Sequence, residues 1–327
     1  MKGAGEDAWS TLCGAAPLSR AGRPRPAPGE STAPGKPTRA SVAGQGSRPA
    51  KPRGIGPLAC ASLAAFTILL WAAAAQEPDS FRFVVMGDRT GESQPGVYER
   101  IWKDAAAERP AFVVTVGDTI EGVSDETAEA EWQQVERILS AWKRFPLYLA
   151  PGNHDIWSGR SEKLFRQYSG HTPHYSFDYE QAHFTILDNS RSDQFSPAEL
   201  AFLEEDLRQH SEQPLKFIVS HRPSWLLNAI VGDTTFRLHQ IAKKYGARYV
   251  IAGHLHEMLH AELEGVDYIS MASAGGHLRA SGKYEDGWFF GYAVVDVRGK
   301  AAEFRIHELG AGRSTLLSDW GKAGLLH

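Results

Sequence analysis

The sequence predicts a mixed α/β fold built as a layered sandwich, and three features of the chain support this class. Short apolar segments alternate with amphipathic segments between residues 80 and 252, which is the order expected where helices cover sheets. Residues 259–307 are rich in strand-forming side chains with turn signals between them. Polar motifs follow the ends of the apolar segments, where ligands collect in α/β folds.

Residues 1–56 have a different composition from the remainder. Pro, Gly, Ala, Ser and Arg dominate them without hydrophobic periodicity, and nine Lys/Arg against three Asp/Glu give a charge of +6. Such a chain cannot bury enough apolar surface to offset its conformational entropy, so a disordered basic segment is predicted. One explanation is that translation starts downstream and this segment is not made. Another is a cytoplasmic extension before a membrane anchor.

Residues 57–75 form an uncharged apolar segment that ends in Ala73-Ala74-Ala75 before Gln76. Small residues in this pattern are typical of a signal-peptide cleavage site. We therefore expect cleavage near Ala75 and export to the periplasm or the medium. The alternative is a membrane anchor with the domain outside, because about 18 apolar residues also suffice to span a bilayer. Membrane contact is expected only through this segment, if it stays uncleaved.

A domain is expected over residues 79–308, followed by a C-terminal tail at 309–327. Its predicted strands cover residues 82–87, 111–117, 146–150, 175–179, 183–188, 215–220 and 248–252. Its predicted helices cover residues 97–109, 127–144, 197–210 and 234–245. In the second helix, Trp132, Val135 and Trp142 fall on one face, and the third begins with a Ser cap and a Pro at its first position. The strand-rich part turns at Glu264-Gly265 and at Arg298-Gly299.

Five predicted strand ends carry residue types that bind metal ions. They are Gly87-Asp88, Gly117-Asp118, Gly152-Asn153-His154-Asp155, Ser220-His221 and Gly253-His254-Leu255-His256. The two-residue spacing of His254 and His256 puts both imidazoles on one face of an extended segment. Mixed oxygen and imidazole ligands suit Mn, Fe or Zn better than Ca, which favours oxygen ligands alone.

In this order the motifs resemble those of the calcineurin-like metallophosphoesterase family, over roughly residues 80–310. With the apolar segment before the domain, the chain is similar to the bacterial, exported type. The GNHD and GHLH segments are the specific matches. The resemblance implies a four-layer α/β-β/α sandwich, with two mixed sheets flanked by helices, and a centre of two divalent or trivalent metal ions.

The resemblance also implies a role for each motif residue. Asp118 would bridge the two metals, Asp88 and His256 would hold the first, and the second would be held by Asn153, His221 and His254. A water between the metals would be activated to hydroxide and attack phosphorus. His154 would protonate the leaving oxygen as general acid, and Asp155 would orient it. Asn153, His154 and Arg89 are the predicted substrate-binding residues.

One position departs from the family pattern, because Thr90 stands where the first motif usually has a second metal-binding His. The first metal would then have fewer protein ligands. This leaves an alternative open, a non-catalytic descendant that binds a phosphorylated ligand or metal. Residues 76–327 carry 26 Lys/Arg and 36 Asp/Glu, a charge of −10, which disfavours nucleic acid as a substrate. A small phosphomonoester or phosphodiester is expected instead.

Overall fold

The computed structural model describes residues 80–320. The predictions for the basic segment 1–56 and the apolar segment 57–75 therefore lie outside the described residues. Within residues 80–320, no helix has the length and apolar character needed to cross a membrane.

The described chain contains twelve strands in two sheets. The strands are β1 Ser80–Met86, β2 Phe112–Thr115, β3 Leu147–Leu149, β4 Tyr175–Tyr179, β5 Ala182–Ile186, β6 Leu215–Val219, β7 Tyr249–Ala252, β8 Leu259–Leu263, β9 Val266–Ser270, β10 Gly291–Arg298, β11 Ala301–Glu308 and β12 Ser314–Leu316. The α-helices are α1 Val97–Ala107, α2 Ala128–Leu139, α3 Gly159–Ser169, α4 Pro197–Gln209, α5 Leu226–Val231, α6 Arg237–Tyr245 and α7 Leu317–Trp320.

Both sheets are mixed. The first has the order β12-β11-β10-β1-β2-β3, parallel from β1 to β3 and antiparallel elsewhere. The second has the order β4-β5-β6-β7-β9-β8, with β4 and β8 as its antiparallel edge strands. The parallel strands of each sheet lie beside one another, so their carboxyl ends share one edge of each sheet.

The main core lies between the two sheets and is dominated by aromatic side chains. Phe83 from the first sheet meets Phe184 and Phe217 from the second edge-on, with ring centroids 5.2 and 5.4 Å apart. Edge-to-face contacts of this kind are favoured by the charge distribution of aromatic rings. Two smaller apolar clusters bury α1, α2 and α3 against the outer face of the first sheet, and another buries α4 and α6 against the second. The predicted four-layer sandwich with two mixed sheets flanked by helices is confirmed.

The predicted helix at 127–144 is shorter in the structure, because α2 ends at Leu139 and a 3₁₀ turn follows to Trp142. Its apolar face is divided between two clusters. Trp132 packs with Phe165 of α3, whereas Trp142 stacks on Trp102 of α1, with ring centroids 6.1 Å apart. A change of helical pitch lets one segment serve both clusters.

Four elements escaped the sequence analysis. Helix α3, Gly159–Ser169, was not predicted, although the side chain of Ser158 caps its first turn. The other three are short, because helix α5 follows the His221 motif and β12 with α7 lies within the stretch expected to be a C-terminal tail. Strand β12 pairs with β11, and both Leu317 and Trp320 are buried in the core between the sheets. Elements of three to six residues are too short to show a periodic pattern.

Candidate metal centre

The motif residues meet at the shared carboxyl edge of the two sheets. Asp88 follows β1 and Asp118 follows β2 in the first sheet, whereas His221 follows β6 and His254 follows β7 in the second. Asp118, His254 and His256 have positive φ values of 55°, 70° and 62°. This region is unfavourable for residues with a side chain, so the surrounding structure must hold the backbone of these three residues in place.

His221 forms the centre of one ligand group. Its Nε2 lies 2.9 Å from Asn153 Oδ1, 3.3 Å from Asp118 Oδ2 and 3.2 Å from His254 Nδ1. Its Nδ1 lies 2.9 Å from the carbonyl of Val116. A carbonyl only accepts, so Nδ1 carries a hydrogen, and Nε2 is the ring nitrogen that faces the group. Asp118, His221 and His254 place their ligand atoms within 4.8 Å of one another and could hold a metal ion.

Asp88 and His256 form a second group beside the first. The imidazole of His256 is buried and donates from Nδ1 to the carbonyl of His277, at 2.8 Å. Its Nε2 lies 4.0 Å from Asp88 Oδ2 and has no hydrogen-bond partner among residues 80–320. Asp88 is fully buried, and its oxygens accept the N–H of His254 at 3.1 and 2.9 Å. A buried nitrogen without a partner is costly unless a ligand satisfies it.

The protonation properties of these residues fit a cation site. Burial raises the pKa of Asp88 to about 7 and lowers the pKa of His256 to about 4. Burial disfavours charge on His221 as well, but the carboxylates of Asp118 and Asp88 outweigh it and raise its pKa to about 9. Two buried carboxylates therefore depend on a neighbouring positive charge, which transition-metal ions supply to carboxylate and imidazole ligands. The residues present fit such ions.

His154 lies beside these groups and is held by backbone contacts. Its backbone N–H donates to Asp118 Oδ1 at 2.9 Å, and its ring Nδ1 contacts the carbonyl of Glu121. The side chain is partly exposed. Its placement next to the ligand groups, without a ring nitrogen engaged by them, leaves Nε2 available for proton transfer.

The expectation that the Asp155 carboxylate contacts and orients the His154 ring is wrong. Asp155 is fully buried, and its Oδ1 accepts the N–H groups of Thr119 and Ile120 while its Oδ2 accepts that of Gly152. Several N–H donors converge on this carboxylate and satisfy it locally. The carbonyl of Glu121 takes the place expected for Asp155 at the His154 ring.

Arg89 and Thr90 are both buried. The Arg89 guanidinium donates to the carbonyl of Thr119 at 2.9 Å and lies over the ring of Tyr98, so substrate binding by Arg89 stays a prediction. At Gly91 an added Cβ would come within 2.9 Å of His256 Cε1. The backbone after Thr90 therefore passes directly against the His256 ring.

Two further residues were missed by the sequence analysis. Asn189 Oδ1 accepts the N–H groups of His221 and Arg222 at 3.1 and 3.0 Å, which fixes the loop after β6. Arg279 is exposed, has no hydrogen-bond or ion-pair partner within residues 80–320, and adds to burial in lowering the pKa of His256. An Asn just past a predicted strand was a usable signal for Asn189, whereas Arg279 lies in a loop with no pattern.

The fold and these motifs define the class of the protein. Residues 81–258, more than half of the chain, match the family described as calcineurin-like phosphoesterase. The chain belongs to that family. Comparison with curated proteins gives no significant match.

Solved structures of the same fold include a phosphatase and an anchor protein. Purple acid phosphatase PPD1 from yellow lupin seeds is 16% identical, with a TM-score of 0.58 over 74% of this chain and 53% of its own. GAP50, the anchor in the inner membrane complex of Plasmodium, is 15% identical, with a TM-score of 0.52 over 73% of this chain and 88% of its own. The chain thus spans about half the length of the lupin phosphatase. At these identities the likeness shows the fold alone.

Proposed function

We propose that the chain is a phosphoester hydrolase with a centre of two metal ions. One observation carries the proposal, which is that imidazole and carboxylate ligands from both sheets meet with their free ring nitrogens turned inward. The Nε2 of His221 faces three ligand atoms within 3.3 Å, and the buried Nε2 of His256 has no partner among the described residues.

The proposed ligands divide between two ions. Asn153, His221 and His254 would hold one, Asp88 and His256 the other, and Asp118 would be shared. Bound metal ions would lower the pKa of a coordinated water and neutralise charge on the phosphoryl oxygens. The carbonyls of Val116 and His277 hold two of the imidazoles in the tautomer that ligation requires, which is how outer contacts commonly support metal ligands.

His154 is the proposed general acid. The carbonyl of Glu121 only accepts, so Nδ1 of His154 carries a hydrogen and Nε2 is the nitrogen available to the substrate. When the ring is protonated, Nε2–H can donate to the departing oxygen. The backbone N–H of His154 also donates to Asp118. The carboxylate that the two metal ions would share therefore helps to position the general acid.

The proposed substrates are small phosphoesters. The charge of −10 on residues 76–327 repels long polyanions, which bind mainly through electrostatic contacts with their phosphates. Monoesters and diesters use the same kind of centre, so both are tested.

The test measures metal content together with hydrolysis of p-nitrophenyl phosphate and bis-p-nitrophenyl phosphate. In His154→Ala, we expect kcat to fall about 10²–10⁴-fold, the usual contribution of general acid catalysis, while metal content is unchanged. The control is His174→Ala, which removes a partly exposed imidazole bound to Glu199 and should leave kcat unchanged. Full metal occupancy without turnover of either ester by the unmodified protein would overturn the proposal in favour of a binding protein.

A further inference from the structure

A second cluster of metal-binding side chains lies on the outer face of the second sheet. Asp178 on β4, His183 on β5 and His210 at the end of α4 place their ligand atoms within 4.8 Å of one another. His183 is fully buried, His210 is 30% exposed and Asp178 is 44% exposed. The cluster is thus closed towards the protein and open to solvent on the side of Asp178.

We propose that Asp178, His183 and His210 form a second, non-catalytic site for a divalent transition-metal ion such as zinc. Two imidazoles and one carboxylate are a donor set that zinc uses, with water completing the tetrahedron. The ion would join the edge strand β4 and its neighbour β5 to the end of α4. Its role is structural, because the site lies far from the carboxyl ends of the strands.

Asp206 holds both imidazoles in the form that the ion requires. Its Oδ2 lies 2.9 Å from His183 Nε2, and its carbonyl lies 2.8 Å from His210 Nδ1. The hydroxyls of Ser176 and Thr185 donate to its carboxylate at 2.7 and 2.6 Å. With those ring nitrogens engaged, Nδ1 of His183 and Nε2 of His210 are left on the side of Asp178. A carboxylate behind a histidine ligand is a common support of zinc sites.

Without the ion, a proton takes its place. Burial disfavours charge on His183, but hydrogen bonds with Asp206 and Asp178 outweigh it and raise its pKa. The Nδ1 of His183 lies 2.7 Å from Asp178 Oδ1, so an ion at this position must displace that proton, and zinc binding should weaken as the pH falls. The neighbouring Lys216 donates its ammonium to the carbonyls of Ser211 and Gln213, and is thereby held by other partners.

The two rings must separate slightly for both to bind one ion. They are stacked with centroids 3.8 Å apart and an interplanar angle of 16°, whereas the nitrogen lone pairs lie in the ring planes. His210 follows the last residue of α4 and is partly exposed. Its ring can therefore tilt outward while His183 stays fixed between β5 and α4.

The position of the cluster separates it from catalysis. His183 is the second residue of β5, and the ligands of the candidate metal centre follow the opposite, carboxyl ends of the parallel strands. Loss of the second site should therefore leave phosphoester hydrolysis unchanged. That independence allows the two sites to be tested apart.

The experiment compares zinc bound per chain after equilibration with excess Zn²⁺ and desalting. We expect His210→Ala to hold one equivalent less than the unmodified protein, and Asp178→Asn, a change of an exposed carboxylate that preserves shape, to bind the extra equivalent at least about tenfold more weakly. His174→Ala is the matched control, since it removes an imidazole outside the cluster, and should keep the full zinc content. Circular dichroism establishes that each variant is folded.

A measurement of zinc content at two pH values distinguishes binding at this site from a general loss of zinc. The difference between the unmodified protein and His210→Ala should be one equivalent at neutral pH and should vanish at about pH 5, below the ordinary pKa of histidine. Equal zinc content in the folded His210→Ala and unmodified proteins at neutral pH would overturn the proposal. So would a loss of zinc in His174→Ala equal to that in His210→Ala.

Discussion

Individual side chains at the candidate metal centre are held mostly by backbone groups of neighbouring loops. Asp155 accepts three N–H groups, and carbonyls hold the rings of His154, His221 and His256. Such contacts fix the ring orientation and tautomer without adding competing charge. The position of each functional group therefore depends on the path of a loop more than on a neighbouring side chain.

The charge of Arg279 lowers the pKa of both Asp88 and His256, which places it near the candidate metal centre. Its guanidinium has no ion-pair partner within residues 80–320, and with burial it opposes protonation of His256. An arginine left free beside such a centre suits a phosphoryl group, which it can bind through two hydrogen bonds. We expect Arg279→Ala to raise KM for p-nitrophenyl phosphate about tenfold, the equivalent of one charged hydrogen bond, with a smaller change in kcat.

The comparison variant is Arg298→Ala, at the last residue of β10. Arg298 pairs with Ser80, at the end of β1 remote from Asp88. Steady-state kinetics should show no change in KM for Arg298→Ala. If the KM of Arg279→Ala matched that of the unmodified protein, Arg279 would not bind the substrate.

Sequence patterns identify ligands at strand ends better than residues in long loops. Asp88, Asp118 and His221 each follow a short apolar strand, so the end of the strand gives their place in the fold. The contact of Asp155 was predicted incorrectly, because the sequence does not show which N–H groups a loop turns inward. Asn189 was overlooked although it directly follows a predicted strand, whereas Arg279 lies in a loop that only the tertiary structure brings to the centre.

At the scale of elements, the turn after β3 is packed so closely that only glycine fits. An added Cβ at Gly152 would lie 2.2 Å from both the backbone nitrogen and Oδ1 of Asp118. We expect Gly152→Ala to lower the free energy of unfolding by about 1–3 kcal/mol, the usual cost of overpacking, and to reduce metal content by moving Asp118. Urea unfolding and metal analysis measure the two effects.

The matched change is Gly159→Ala at the start of α3. Nothing lies within 4 Å of an added Cβ there, and its φ is not positive. A gain of about 0.4–1 kcal/mol is expected, because alanine restricts the unfolded chain. If Gly152→Ala were as stable as Gly159→Ala and kept its metal, the close approach of Gly152 to Asp118 would contribute neither to stability nor to metal binding.

Most of the longer elements were predictable because each keeps one apolar period along its length, but helix α3 was missed. Strands β1, β2 and β6 are almost wholly buried, and they read as continuous apolar segments. The helix at 127–144 was overextended, since its apolar face continues in sequence while it changes partner in space at Leu139. Strand β12 pairs with β11, a contact that no local pattern in the sequence shows.

At the scale of the whole molecule, the candidate metal centre lies where the two sheets meet and takes its ligands from both. Asp88 and Asp118 belong to the first sheet, and His221, His254 and His256 to the second. The aromatic core holds the sheets together along their length. At the carboxyl edge of the parallel strands, buried carboxylates of one sheet face imidazoles of the other, so ions bound there would connect the two sheets directly.

Removing the metal should therefore weaken the whole fold. Ions that bind only the folded chain add about 2.7 kcal/mol when their concentration is a hundredfold above Kd, and each kcal/mol shifts Tm by about 2–4 °C in a domain of this size. We expect a chelator to lower Tm by about 5–11 °C. The measurement uses His210→Ala, so that the second site does not contribute. If metal content fell to zero without a change in Tm, the ions would not connect the sheets, and the aromatic core alone would hold them.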